Sequence, residues 1–308
     1  LSIRRQRQMC IRDRIKVEHY KEAFLKGMEE QKKEIDAIVN QRSVPDFDNT
    51  IAAFDQSGEL LNKVSTVFSG LNSCNTNDEM QAFNKEITPL LSAHRDDISL
   101  NPALFARVKE VYERREKLGL DKEQNKLLEE TYKKFVRGGA NLDSVDQAKL
   151  RQLNSEISML QLTFGQNLLK ETNAFELVID KKEDLAGLPE SLVASAAEAA
   201  KGAGMEEKWL FTLHNPSVMP FLQYADNREL REKIFKGYIN RGNNGNEADN
   251  NEIVKKLVAL RLEKAKLMGY ADYASYILED RMAKNEENVY RLLNQIWTPA
   301  VAKAKEEL

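Results

Sequence analysis

The longest uninterrupted pattern in the chain runs from about Ser144 to Leu169, where Leu150, Leu153, Ile157, Leu160 and Phe164 recur at alternating spacings of three and four. Three or four residues return a side chain to the same helical face, so the rhythm predicts one long helix with a single apolar seam. A seam of that kind has to be covered along its length. It predicts packing along an antiparallel neighbour in a bundle, since it is too short for a free-standing coiled coil.

The same rhythm recurs on both sides of that helix. Tyr20, Phe24, Met28, Ile35 and Ile38 predict a helix over 17–39. Asp48 is the expected N-cap of the next one, which carries Ile51, Phe54, Leu61, Val64 and Phe68, with Gly58 weakening it without breaking it. Thr76 and Glu79 stand at capping-box spacing before Met80, Phe83, Ile87 and Leu91. Asn101-Pro102 reads as N-cap and first helical residue of a segment that stops at Gly119, and Asp121 opens another ended by Gly138-Gly139. Only two stretches read as strands, Phe175–Ile179 and Trp209–Leu213, and they are expected to pair as a small sheet. Between them Gly187-Leu188-Pro189 leads into an Ala-rich helix that ends near Gly202. After a turn at Asn215-Pro216, Asn227 caps a helix with Leu230, Ile234, Phe235 and Tyr238 on one face. The Gly- and Asn-rich run 242–251 reads as a mobile loop. It leads to a helix with Ile253, Leu257, Leu260, Lys264 and Leu267, its exposed face holding Arg261, Glu263 and Lys266. A final helix starts near Glu286 and runs to Leu308 without a stop signal. The fold class is therefore mostly α, a multi-helix body with a small two-stranded β element. Three regions are expected: 1–14, a helical region 15–170, and 171–308 with the strand-helix-strand element and the last helices.

Residues 1–14 differ from the rest. Five arginines stand there against one aspartate, leaving 41 basic and 48 acidic residues for the remainder. The tract reads as a basic arm, as a transit-like leader, or as a non-native, adapter-derived stretch. The last is favoured, because Met9-Cys10-Ile11-Arg12-Asp13 is the translation of the transposase adapter string ATG TGT ATA AGA GAC. With its last helix uncapped as well, both ends read as cut. The acidic remainder has no electrostatic footprint for nucleic acid, and no apolar run is long enough to cross a bilayer. Two cysteines, Cys10 and Cys74, make no disulfide framework. Cytoplasm is the default compartment, with a periplasmic or exported form as the alternative.

The search for chemistry returns mainly negatives. His19, His94 and His214 are the three histidines, and none stands in H-E-x-x-H, the spacing that sets two imidazoles on one helical face around zinc. The run 242–251 lacks the order of a calcium loop, and the Gly pairs lack phosphate-loop spacing. Asp96-Asp97 and Glu279-Asp280 are neighbours that do not share a helical face, which suits a solvated surface better than an acid–base pair. Trp209, Trp297, Tyr270, Tyr273 and Tyr276 read as packing residues. No catalytic residue and no metal ligand is assigned to this chain, and substrate-binding residues remain unassigned.

The most distinctive stretch is Lys208–Met282, KWLFTLHNPSVMPFLQYADNRELREKIFKGYINRG continuing after the Asn-rich run through RLEKAKLMGY at 261–270 to YILEDRMA at 276–283. Together with EHYKEAFLKGM at 18–28, PDFDNTIAAFDQSGELL at 45–61 and the stretch 101–105, it resembles the non-catalytic first half of the thimet oligopeptidase and dipeptidyl carboxypeptidase family of zinc metallopeptidases. The resemblance covers Ile15–Leu308. For the intact protein it implies a neurolysin-like helical body with a deep channel, of which this chain forms one lobe, acting on short unfolded peptides. It also implies zinc held by the two histidines of H-E-x-x-H and a later glutamate, with the motif glutamate taking a proton from zinc-bound water. That motif is expected downstream, in a missing C-terminal catalytic half, so this chain alone is expected to bind no catalytic zinc and to be inactive. The alternative is a non-enzymatic helical module that binds a peptide or a partner helix.

Overall fold

The computed structural model of the chain describes residues 15–308, and the Arg-rich tract 1–14 lies outside them. The described residues form two compact units. One gathers the chain up to Met159 together with Ala259–Leu308, and the other is Leu160–Val258.

The first unit begins with α1, Val17–Val39, on which the five predicted apolar positions are all buried. A π-helical turn, Phe47–Ala52, runs into the short helical turn Ala53–Gln56. Its cap is Asp46 and not Asp48. Asp46 has the extended backbone a cap requires, its carboxylate accepts from Asn49 N at 2.7 Å, and the Asn49 side chain returns a bond to Asp46 N. Asp48 is already inside the turn. Gly58 does break the helix: its φ is +77°, and its N–H donates to Glu34 Oε2 at 2.6 Å. The left-handed backbone is what favours glycine here, and a Cβ would also displace the Gln31 amide, 2.3 Å away.

After this break come α2, Glu59–Cys74, and α3, Asp78–Ser99. The capping box at Thr76 is not formed. Asn77, one residue later and fully extended, accepts from Met80 N at 2.8 Å, while Thr76 Oγ1 turns back to Asn72. Next is α4, Pro102–Glu113, capped by Asn101 as predicted; it stops short of Gly119 because Arg115–Lys117 tighten into a 3₁₀ turn. The predicted Asp121 cap opens α5, Lys122–Arg137, with a full capping box to Gln124.

Two cores fill this unit. One is an aromatic cluster of Tyr20, Phe24, Phe68 and Phe83 with Met28, Met80 and Ile87, the Phe68 ring meeting Phe83 edge-on at 5.3 Å. The other holds Ile35, Ile38, Ile51, Leu104, Val108, Leu128 and Phe135. Because α1 feeds both, it is the organising helix of the unit. It approaches α2 so closely at Gly27 that a Cβ would lie 2.9 Å from Leu61 Cα. Truncating a fully buried ring such as Phe24 to alanine should cost about 3–5 kcal/mol.

The long helix, α6, spans Ser144–Ala174, five residues beyond the predicted end. In the second unit it leads to β1, Leu177–Ile179, then α7, Glu190–Gly202, and β2, Trp209–Phe211. The strands pair antiparallel, Leu177 opposite Phe211 and Ile179 opposite Trp209. Two short strands cannot hold themselves in water, so their apolar face is buried on helices. The expected turn at Asn215-Pro216 is the first turn of a helix, α8, Asn215–Tyr224, since proline fits where an N–H has no intrahelical partner. It is followed by α9, Arg228–Ile239, capped by Asn227. Ile179, Leu213, Val218, Phe221 and Ile234 form the core between sheet and helices. Phe235, predicted on the inner face of α9, is instead 47% exposed. The chain continues through α10, Asn251–Leu267, which ends at Gly269 with φ +86°, then α11, Tyr273–Leu278, and α12, Glu286–Glu307.

Candidate functional site

The three histidines stand on separate elements and are already engaged. His19 Nδ1 accepts from Lys16 N at 3.1 Å. His214 bonds Thr212 through Nδ1 and Asn173 through Nε2. His94 is buried on α3, with Nε2 2.7 Å from Gln31 Oε1. Burial pushes its pKa down, because a charged imidazole would lose water, and Lys32 adds to this. Among the described residues no three His, Cys, Asp or Glu side chains gather as a metal set. The donors present do not fit a catalytic zinc, which needs several free ligands converging on one point.

The acidic pairs are not simply solvated. Asp97 does face outward, in ion pairs with Lys32 and Arg151. Asp96 is buried in a relay, which corrects the surface reading. Asn154 Nδ2 of α6 donates to Asp96 Oδ1 at 2.8 Å, and Lys264 Nζ of α10 donates to Asn154 Oδ1 at 2.6 Å. One amide thus bridges two opposite charges. Burial raises the Asp96 pKa against the opposing pull of Asn154, Arg151 and Lys264, and burial lowers that of Lys264. Glu279 pairs with Arg137 at 2.5 Å, and Asp280 pairs with Lys133. The Arg137 guanidinium also lies 4.6 Å from the ring centre of Tyr276, a cation–π contact that packs α11 against α5. Arg261, expected on a charged outer face, is only half exposed and sits 5.4 Å from the Tyr273 ring centre.

In the second unit the Asn-rich run is bound rather than loose. Buried Glu171, near the end of α6, accepts from Gly242 N, from Asn244 Nδ2 at 2.8 Å and from Asn246 Nδ2 at 2.6 Å. Asn250 N closes the run on Gly242 O at 2.7 Å, and its side chain reaches Asn167 and Phe164 O. Burial alone would raise the Glu171 pKa, but three donors outweigh it and hold the carboxyl below its ordinary range. Polar composition suggested mobility because it does not show that one buried carboxylate, 71 residues before Gly242, collects the donors.

The first unit also holds a cleft of about 620 Å³, lined by Phe54, Leu61, Leu91, Ile98 and Phe135 with His94 in its wall. Arg95 and Lys134 bring positive charge to it, and among the described residues no acidic side chain lines it. Sequence reading placed each of these residues on a helix but had no signal that would bring them together.

On α12 no residue is buried, and Tyr290, Leu293, Ile296 and Trp297 are all more than half exposed. Trp297, read as a packing residue, is 70% exposed, whereas Trp209 packs on the sheet core.

Comparison with known proteins gives these features a setting. Residues 221–308 match Peptidase family M3. The chain is 40% identical to the dipeptidyl carboxypeptidase of Escherichia coli, over 96% of its own length and 44% of that enzyme's. It is 28% identical to oligopeptidase A of Haemophilus influenzae over the same shares of the two chains, and 24% identical to saccharolysin of Saccharomyces cerevisiae over 86% of this chain and 36% of the yeast protein. The mostly α chain is thus similar to a dipeptidyl carboxypeptidase and an oligopeptidase A along almost all of its own length, and it spans less than half the length of these relatives.

Proposed function

We propose that this chain is the helical scaffold portion, from the first half, of a zinc-dependent oligopeptidase that hydrolyses short unfolded peptides, and that the chain alone is catalytically silent. One observation carries this reading: the similarity to a dipeptidyl carboxypeptidase runs along 96% of the chain, yet its three histidines are dispersed and separately hydrogen-bonded. The zinc ligands and the base then belong to sequence outside residues 15–308. In the intact enzyme these residues form one wall of a channel too narrow for folded substrates.

The apolar face of α12 supports the same reading. A row of Tyr290, Leu293, Ile296 and Trp297 facing water is unfavourable by roughly 1.5–3 kcal/mol per large side chain relative to burial. We infer that the catalytic portion covers it. No helix among the described residues is long and apolar enough to cross a membrane.

The test is to purify the 308-residue chain, measure its zinc by mass spectrometry and assay it with an internally quenched peptide. Metal content at background and no cleavage are expected. Stoichiometric zinc with chelator-sensitive hydrolysis would falsify the proposal.

A further inference from the structure

We propose that the cleft beside His94 is a binding site for a small monocarboxylate with an apolar body. Its volume is about 620 Å³. It falls in the range that small-molecule sites occupy. The walls are Phe54, Leu61, Leu91, Ile98 and Phe135, which favour a hydrocarbon or aromatic group over water.

Charge fixes the class of the other end. Lys134 lines the cleft and its ammonium has no partner among the described residues, although the neighbouring Lys133 is paired with Asp280. Arg95 uses only Nε, to Leu91 O at 3.3 Å, and leaves its terminal nitrogens for a ligand. Asp96 lies near Arg95 but does not line the cleft, so within the cleft itself the two cations meet no carboxylate. The apolar walls suit a singly charged group, because a doubly charged one would lose more hydration than two exposed cations return.

A second observation is independent of the cations. His94 is 3% exposed, and its Nδ1 has no hydrogen-bond partner. That nitrogen is closed off from water as the cleft stands, so the ring senses an occupant of the cleft through its surroundings. Gln31, which holds the other nitrogen, lines the same cleft, so an occupant that moves its amide would also change the His94 ring.

The experiment titrates the 308-residue chain with 4-phenylbutyrate and follows the three imidazole C2–H signals by NMR, with the neutral 4-phenylbutanamide as control. A saturable shift confined to His94 is expected, with the amide binding about tenfold more weakly, the worth of about one charge-assisted hydrogen bond. Lys134→Gln and Arg95→Gln, both at exposed positions, are each expected to weaken binding about threefold or more while leaving the melting curve unchanged. An unsaturable response, equal binding of acid and amide, or unaltered affinity in both variants overturns the proposal.

Discussion

Asp96 and Glu171 are two carboxylates of like exposure, 7% and 8%, and their pKa values are shifted in opposite directions. Asp96 receives one amide hydrogen bond and feels its cations from a distance. Glu171 receives a backbone N–H and two side-chain amides directly. Exposure is alike, but Asp96 is surrounded by more protein than Glu171 and has fewer donors within bonding reach, and both differences act in the same sense. Hydration lost on burial is recovered by short hydrogen bonds and only partly by neighbouring charge.

The comparison can be broken by removing each carboxylate. Glu171→Ala should have the largest effect, about 3 kcal/mol or more lost from the unfolding transition of the second unit, since it strands three donors around one site. Urea denaturation checks this, and a loss below about 1 kcal/mol would sink the claim that this carboxylate holds the loop. Asn154→Leu comes next, at about 2–3 kcal/mol, because it removes the amide that bridges Asp96 and Lys264.

Asp96→Asn should cost less than Glu171→Ala at pH 7: Lys264 loses its counter-charge, but an amide can still accept from Asn154 and no longer has a charge to desolvate. A cost near that of Glu171→Ala would show that the two sites do not differ in kind.

Acid sharpens the contrast. Glu171 has its folded pKa below the ordinary 4.5, so the unfolded chain takes the proton first. Its contribution is complete above that pH and is lost as pH falls through the folded value. For Asp96 the folded pKa lies above the ordinary 3.8, so the folded chain takes the proton first and stability falls as pH rises through that window. Stability measured from pH 7 to 3 should therefore drop less in Glu171→Gln, and drop more in Asp96→Asn, than in the wild type. The smallest effect is at His94, whose folded pKa lies below 6.5: its share of stability is present above 6.5 and lost as pH falls through the folded value. His94→Gln should flatten the pH dependence just below 6.5, and an unchanged slope there would assign it to other groups.

These differences mark what sequence can carry. Asn101, Asp121 and Asn227 were legible as caps because the cap, its amide partner and the helix are local. Asp46 and Asp48 both fit that pattern, and only the extended backbone at Asp46 decides between them. Asp96 was hidden for another reason. α3 buries two faces: Met80, Phe83 and Ile87 announce the first, but Ser92 and Asp96, four apart, carry no apolar signal for the second. Glu171 and the cleft depend on residues far apart in sequence, for which periodicity has no vocabulary. The likeness to these peptidases, by contrast, was legible in scaffold motifs alone, before any site was visible.

The unequal burial of the two tryptophans gives each unit its own fluorophore. Trp209, against the sheet core, should emit at shorter wavelength and resist acrylamide quenching. Trp297, on the open face of α12, should emit red and quench readily. With Trp209→Phe removing the first signal, a blue shift of the remaining emission would register the moment another protein surface closes over the last helix.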